Sequence, residues 1–328
     1  MENIHEPQGK VKSPTPLAAS MLYLVVLTLM ILSSFLLGGR DIQGINYYIL
    51  MFIIQFVTIL LPPLIYMLYQ KIDIKKATRL NKISVPEILL SIGMSVFGYG
   101  VIIAVNLVWV WFLSKFGTPQ AATLPPIETG QQFIMAIVVI AAVPALFEEF
   151  LFRGVIQRGY EKIGRNVSII FTGLLFAFLH LSIVSLPSII LMGMLLCYVN
   201  YRSNSLWSGA IYHFVNNSVA VTLTFIAGFI TKLFPMEGAA QSLADLPPET
   251  LLAGMVAWGF IGTFALVLFA ACFAGFHIIT RGKQEVMIKE TNQVMTKRGL
   301  ELLPAILAMV VVVILLVMEV IQMVNPVI

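Results

Sequence analysis

Apolar stretches long enough to cross a lipid bilayer recur along the whole of this 328-residue chain. About 20 apolar residues in a helix span the roughly 30 Å of hydrocarbon in a membrane. Nine such stretches can be drawn, at 17–38, 46–69, 87–114, 132–157, 167–184, 186–201, 206–231, 251–279 and 301–324. The stretch 186–201 is the weakest, because it is short and starts beside Pro187. Hydrocarbon supplies no partner for backbone N–H and C=O groups, so each stretch must satisfy its own as a helix. The expected fold class is therefore all-α, a polytopic transmembrane helix bundle of about eight or nine spans. Composition excludes a soluble domain: 59% of residues are hydrophobic and 11% charged, where a soluble domain carries about a quarter charged.

The first span begins too far from the start, and runs too long, to read as a cleaved signal peptide. Residues 1–16 form a polar, Pro-containing tail, expected to be disordered and cytoplasmic. Cys197 and Cys272 both fall in apolar stretches without paired spacing and read as small buried hydrophobes. An N-terminus inside the cell puts seventeen of the twenty Lys and Arg residues at or near the inner face. Arg40, Lys115 and Lys232 are left outside. Positive charge accumulates on cytoplasmic loops, so this N-in, C-out orientation is the expected one. The acidic outer loop 232–250, with Glu237, Asp245 and Glu249, agrees with it. The net charge of +4 follows from this topology and not from a nucleic-acid-binding face.

Three polar clusters interrupt the apolar helices: Glu148-Glu149 with Arg153, Phe176 with His180, and His213 with Asn217. Charged groups at bilayer depth are costly and mark functional sites by default. On a helix, residues four apart share a face, whereas adjacent ones diverge by about 100°. Glu149 can therefore pair with Arg153, leaving Glu148 as the carboxylate free for chemistry. The plainer reading is that both glutamates only compensate Arg153 and Arg158. Phe176 can pack on the His180 ring. His213 and Asn217 can aim an imidazole and an amide at one point, or can simply be polar glue between helices. Asn216 complicates the choice of amide. Pro144, four residues before Glu148, is expected to kink its helix. Glu148 lies ten residues from Arg158 and Asn217 eleven from position 206, about 15–16 Å at 1.5 Å per residue, so three helices can bring the clusters to a similar depth.

In order, these motifs resemble the CPBP family of intramembrane proteases, which includes the type II CAAX prenyl endopeptidases and bacterial proteins of bacteriocin processing and immunity. The matching stretches are FEEFLFR (147–153), FAFLH (176–180) and HFVNN (213–217). The resemblance covers 130–225, a catalytic helix core, and leaves the tail 1–16, N-terminal helices 17–129 and C-terminal helices 226–328 on either side of it. It implies that Glu148 and His180 activate a water for attack on a peptide carbonyl. It implies equally that His213 and Asn217 stabilise the oxyanion, while Glu149, Arg153 and Phe176 are structural support. No cofactor is favoured. A zinc ion held by Glu148, His180 and His213 is the alternative, weakened because no His-Glu-x-x-His element is present. The implied partners are the lipid bilayer and a membrane-embedded or lipid-modified protein or peptide, with no nucleic acid. The implied location is the bacterial plasma membrane. Two other classes compete: a transporter or channel using the buried groups as a proton relay, which would normally show internal repeats, and a non-catalytic scaffold or immunity protein.

Overall fold

The computed structural model describes residues 12–38, 40, 42, 44–120, 124–233, 247–283 and 299–325. Glu237 and Asp245 of the acidic loop, Lys289, Lys297, Arg298 and most of the N-terminal tail lie outside them. Among the described residues the chain is helical, without strands. In order, the long helices are α1 (Pro16–Leu37), α2 (Ile45–Tyr69), α3 (Val85–Leu113), α4 (Gly130–Tyr160), α5 (Arg165–Leu179), α6 (Leu186–Ser203), α7 (Leu206–Leu233), α8 (Pro248–Ile279) and α9 (Leu303–Val324).

Helix starts follow from local side chains that satisfy the first free N–H groups. Thr15 Oγ1 accepts from Ala18 N at 3.2 Å, with Pro16 opening α1. Ser84 with Glu87, and Thr129 with Gln132, form reciprocal capping boxes at the starts of α3 and α4. Helix α6 stops where Asn204 adopts φ 52°. Helix α4 is irregular, with π-helical turns at Ile137–Ala142 and Phe150–Ile156. There the bonds reach five residues back, from Val143 N to Val138 O and from Gln157 N to Phe152 O. Pro144 has no N–H to offer Ile140 O, four residues earlier, and the widened turns take up its ring. Such widened turns occur often at functional sites.

Helices form at all nine predicted stretches, and seven are long and apolar enough to cross a membrane. The other two, α5 and α6, make a hairpin. Its first arm stops at Leu179, short of the expected end at 184, and its 15 residues rise only about 22 Å. The arms touch backbone to backbone: a Cβ on Gly193 would meet Gly173 O at 2.8 Å, and one on Gly173 would meet Met194 N at 2.8 Å. Close approach through small residues is how helices associate where lipid removes the hydrophobic drive. Tyr23, Phe152, Phe176, Leu196 and Tyr212 fill the centre of the bundle. Helix α8 packs along α3 and leaves Phe260 and Phe264 on its outer face.

The basic helix ends meet on one face of the bundle. Arg158 Nε donates to Ala77 O at 2.9 Å, Lys162 Nζ to Ser13 O at 3.1 Å, and Lys283 Nζ to Glu87 at 2.7 Å. Glu161, almost fully buried, binds Arg79 and Arg158, each at 2.6 Å. Burial alone pushes the Glu161 carboxyl up, but the two guanidinium groups outweigh it and hold the carboxyl below its ordinary value.

Candidate active site

Helices α4, α6 and α7 meet at one buried carboxylate, Glu149, while the exposed His180 of α5 reaches this group through the Phe176 ring. The Glu149 side chain is fully buried and accepts from three groups. Arg153 Nη1 donates to Oε1 at 2.8 Å, His213 Nδ1 lies 3.0 Å from the same oxygen, and Asn200 Nδ2 donates to Oε2 at 2.9 Å. A buried charge survives only when paired and hydrogen-bonded, and this one is. Arg153 spends a second donor on Gly193 O at 3.1 Å, at the crossing of the hairpin arms. Its guanidinium stands 4.5 Å from the centre of the Phe176 ring. The same ring touches His180, with centroids 4.9 Å apart, and meets His213 edge-on at 5.8 Å. Phe176 thus spaces both imidazoles and covers the arginine.

Glu148 is set apart from this network, one residue earlier on α4. Its Oε2 is buried and has no hydrogen-bond partner among the described residues. That oxygen lies 4.0 Å from His213 Nε2. The separation is too long for a hydrogen bond, yet a single oxygen atom about 2.8 Å from each would bridge them. The resemblance pairs Glu148 with His180; in the structure the imidazole within 4.0 Å of it is His213.

Both imidazoles have their tautomer fixed through Nδ1. His180 Nδ1 sits 2.9 Å from Phe176 O, and a carbonyl can only accept, so Nδ1 carries the proton. His213 Nδ1 faces a carboxylate that already pairs with Arg153, so it too is the donor. Nε2 of each neutral ring is then the free nitrogen. This is the support that working histidines commonly receive.

Asn217, one turn beyond His213 on α7, lies partly buried. Its Nδ2 is 3.4 Å from Ile140 O, the carbonyl that Pro144 cannot serve. Its Oδ1 faces Asn216 Nδ2, also at 3.4 Å. Both contacts are long, and one amide proton of Asn217 stays available.

Asn200 was missed in reading the sequence. Its Oδ1 accepts from Gly209 N at 3.1 Å while its amide holds Glu149, so it links α6, α7 and the carboxylate. The signal was an amide within an apolar helix, the same signal that marked Asn217. A Cβ on Gly209 would fall 2.3 Å from Asn200 Nδ2, so only glycine admits this amide.

Residues 130–219 match the family described as type II CAAX prenyl endopeptidase Rce1-like. The polar core thus resembles that family. The match covers α4 through the first half of α7, about a quarter of the chain, and includes every candidate residue above. It supports the family resemblance read from the sequence, and the family is one of peptide hydrolases. Comparison with curated proteins and with solved structures gave no match.

Proposed function

We propose that the chain is an intramembrane endopeptidase that hydrolyses a peptide bond in a membrane-embedded or lipid-modified protein or peptide. One observation carries this: in a site where Glu149 is fully satisfied, the neighbouring carboxylate Glu148 keeps a buried oxygen with no partner among the described residues, 4.0 Å from a fixed imidazole. Burying an unpaired acceptor costs about 1–3 kcal/mol, which supports a functional role for Glu148. The Rce1-like match supports the same reading.

In this reading Glu148 takes a proton from a water whose oxygen attacks the substrate carbonyl. His180 accepts through Nε2 and orients that water. His213 and Asn217 face the oxyanion, with Asn217 Nδ2 donating a hydrogen bond to it. The C–N bond breaks as the proton on Glu148 passes to the leaving amine.

The zinc alternative needs Glu148, His180 and His213 as one ligand set. Among the described residues no three His, Cys, Asp or Glu side chains stand together as a metal-holding group. We therefore read the chemistry as metal-free. The N-terminus is taken as cytoplasmic, since the basic helix ends share one face and seven spans or nine give the same parity.

Purified protein in liposomes tests the function directly. It should cleave a farnesylated peptide ending in a CAAX sequence, or an unmodified transmembrane peptide, and the preferred one identifies the substrate class. Asn217→Ala should lower turnover about 10²–10³-fold with little change in KM, because the donor acts mainly in the transition state. No cleavage of either peptide type by intact, folded protein would overturn the proposal. Stoichiometric bound zinc, with activity lost on chelation and restored by zinc, would overturn the metal-free chemistry.

A further inference from the structure

The loop 180–185 that carries His180 from α5 to α6 ends a helix in an unfavourable way. Leu181, directly after His180, adopts φ 48°. A β-side-chain residue in this left-handed region carries strain of about 1 kcal/mol or more, and glycine normally takes such a position after a helix. The strained residue therefore sits next to a candidate active-site histidine, and something must hold it.

Two side chains from distant parts of the chain grip the peptide two residues further on. Glu319 Oε2, on α9, accepts from Ile183 N at 2.7 Å. Trp109 Nε1, on α3, donates to Ile183 O at 2.7 Å. Both polar groups of one residue are thus taken by side chains, one from each flanking helix. Val184 is buried beside them against Val110, Leu113 and Met323. Ile183, Val184 and Glu319 also border a cavity of about 250 Å³, so close packing does not back the loop on every side. A glutamate in the apolar α9 is costly, which points to a specific use.

We propose that Glu319 and Trp109, both outside the Rce1-like segment, are positioning residues that clamp the Ile183 peptide and so fix His180 at the active site. This rests on the reading of His180 as an active-site residue. The clamp would let helices with no catalytic group of their own set the rate, since reacting groups must be held to within a fraction of an ångström.

The test compares Glu319→Leu, Glu319→Gln and Trp109→Phe with the wild type in the same detergent. Two quantities are read: amide hydrogen exchange in peptides covering 178–188, and kcat and KM on whichever peptide the wild type cleaves. Glu319→Leu and Trp109→Phe should each speed exchange in that segment about 5–10-fold, the effect of losing one ordinary hydrogen bond. Each should lower kcat about 10–100-fold, with KM changed by less than about twofold. Glu319→Gln keeps an oxygen that accepts from Ile183 N, and should stay near wild type in both. If one variant fails to fold, the other decides. Unchanged exchange across 178–188 in Glu319→Leu overturns the clamp. Faster exchange with normal kcat, while His180→Ala is inactive, overturns its role in positioning. A fully active His180→Ala overturns the active-site reading of His180 instead, and the exchange data still judge the clamp.

Discussion

Replacing Glu149 by Ala should unfold the site from its centre. The carboxylate accepts from Arg153 at 2.8 Å, Asn200 at 2.9 Å and His213 at 3.0 Å, and its exposure is 0%. Without it, the buried Arg153 retains one hydrogen bond, to Gly193 O, and its charge has no counter-ion. Removing one member of a buried pair costs about 3–5 kcal/mol, chiefly because the stranded charge stays desolvated. The Asn200 amide loses its acceptor as well, which pushes the loss to the upper part of that range. Reversible unfolding in mixed detergent, followed by tryptophan fluorescence, measures the change. The double variant Glu149→Met, Arg153→Met removes both charges and should regain most of the loss, because an apolar pair strands nothing. A Glu149→Ala protein within about 1 kcal/mol of wild type would refute the reasoning. A stable but inactive Glu149→Ala would mean that the roles of the two glutamates are reversed.

Gly209→Ala should displace Asn200 from Glu149, since the added carbon would lie 2.3 Å from its amide nitrogen. A loss of about 1–3 kcal/mol in the same unfolding assay is expected. With the N-terminus inside, a cysteine at Lys76 should be shielded from an impermeant thiol reagent in sealed cells and one at Lys232 should react; the reverse pattern would invert the orientation. The depressed Glu161 carboxyl stabilises the fold above the ordinary carboxylate range. That contribution should fade as pH falls below this range and the carboxyl takes up a proton. Glu161→Gln should remove this part of the acid sensitivity, which a pH series of thermal melts would show.

The helices were legible because 20-residue apolar stretches leave little choice of structure, although α3 and α4 start two residues before the expected 87 and 132, where Ser84 and Thr129 cap them. The hairpin was not: α5 ends at Leu179 although apolar residues continue to Val184, because the tip is buried against α3 and α9 instead of crossing lipid. Helical spacing predicted the Glu149–Arg153 contact and set Glu148 apart. It could not show that His213 approaches Glu148, since distances between α4 and α7 depend on how the π-helical turns rotate α4. Asn200, Trp109 and Glu319 escaped for the same reason. Asn200 and Glu319 stood out as polar groups in apolar helices, yet all three act across helices far apart in the chain, and spacing along one helix does not name the partner.

The central claim is that Glu148 is the base, and Glu148→Gln tests it with the least disturbance. The substitution keeps shape and removes proton affinity at a side chain whose buried oxygen has no hydrogen-bond partner among the described residues. Measured on purified protein in liposomes, kcat should fall roughly 10³-fold, while the unfolding midpoint and KM stay near wild type. A Glu148→Gln protein that folds normally and retains near-normal kcat would contradict the account.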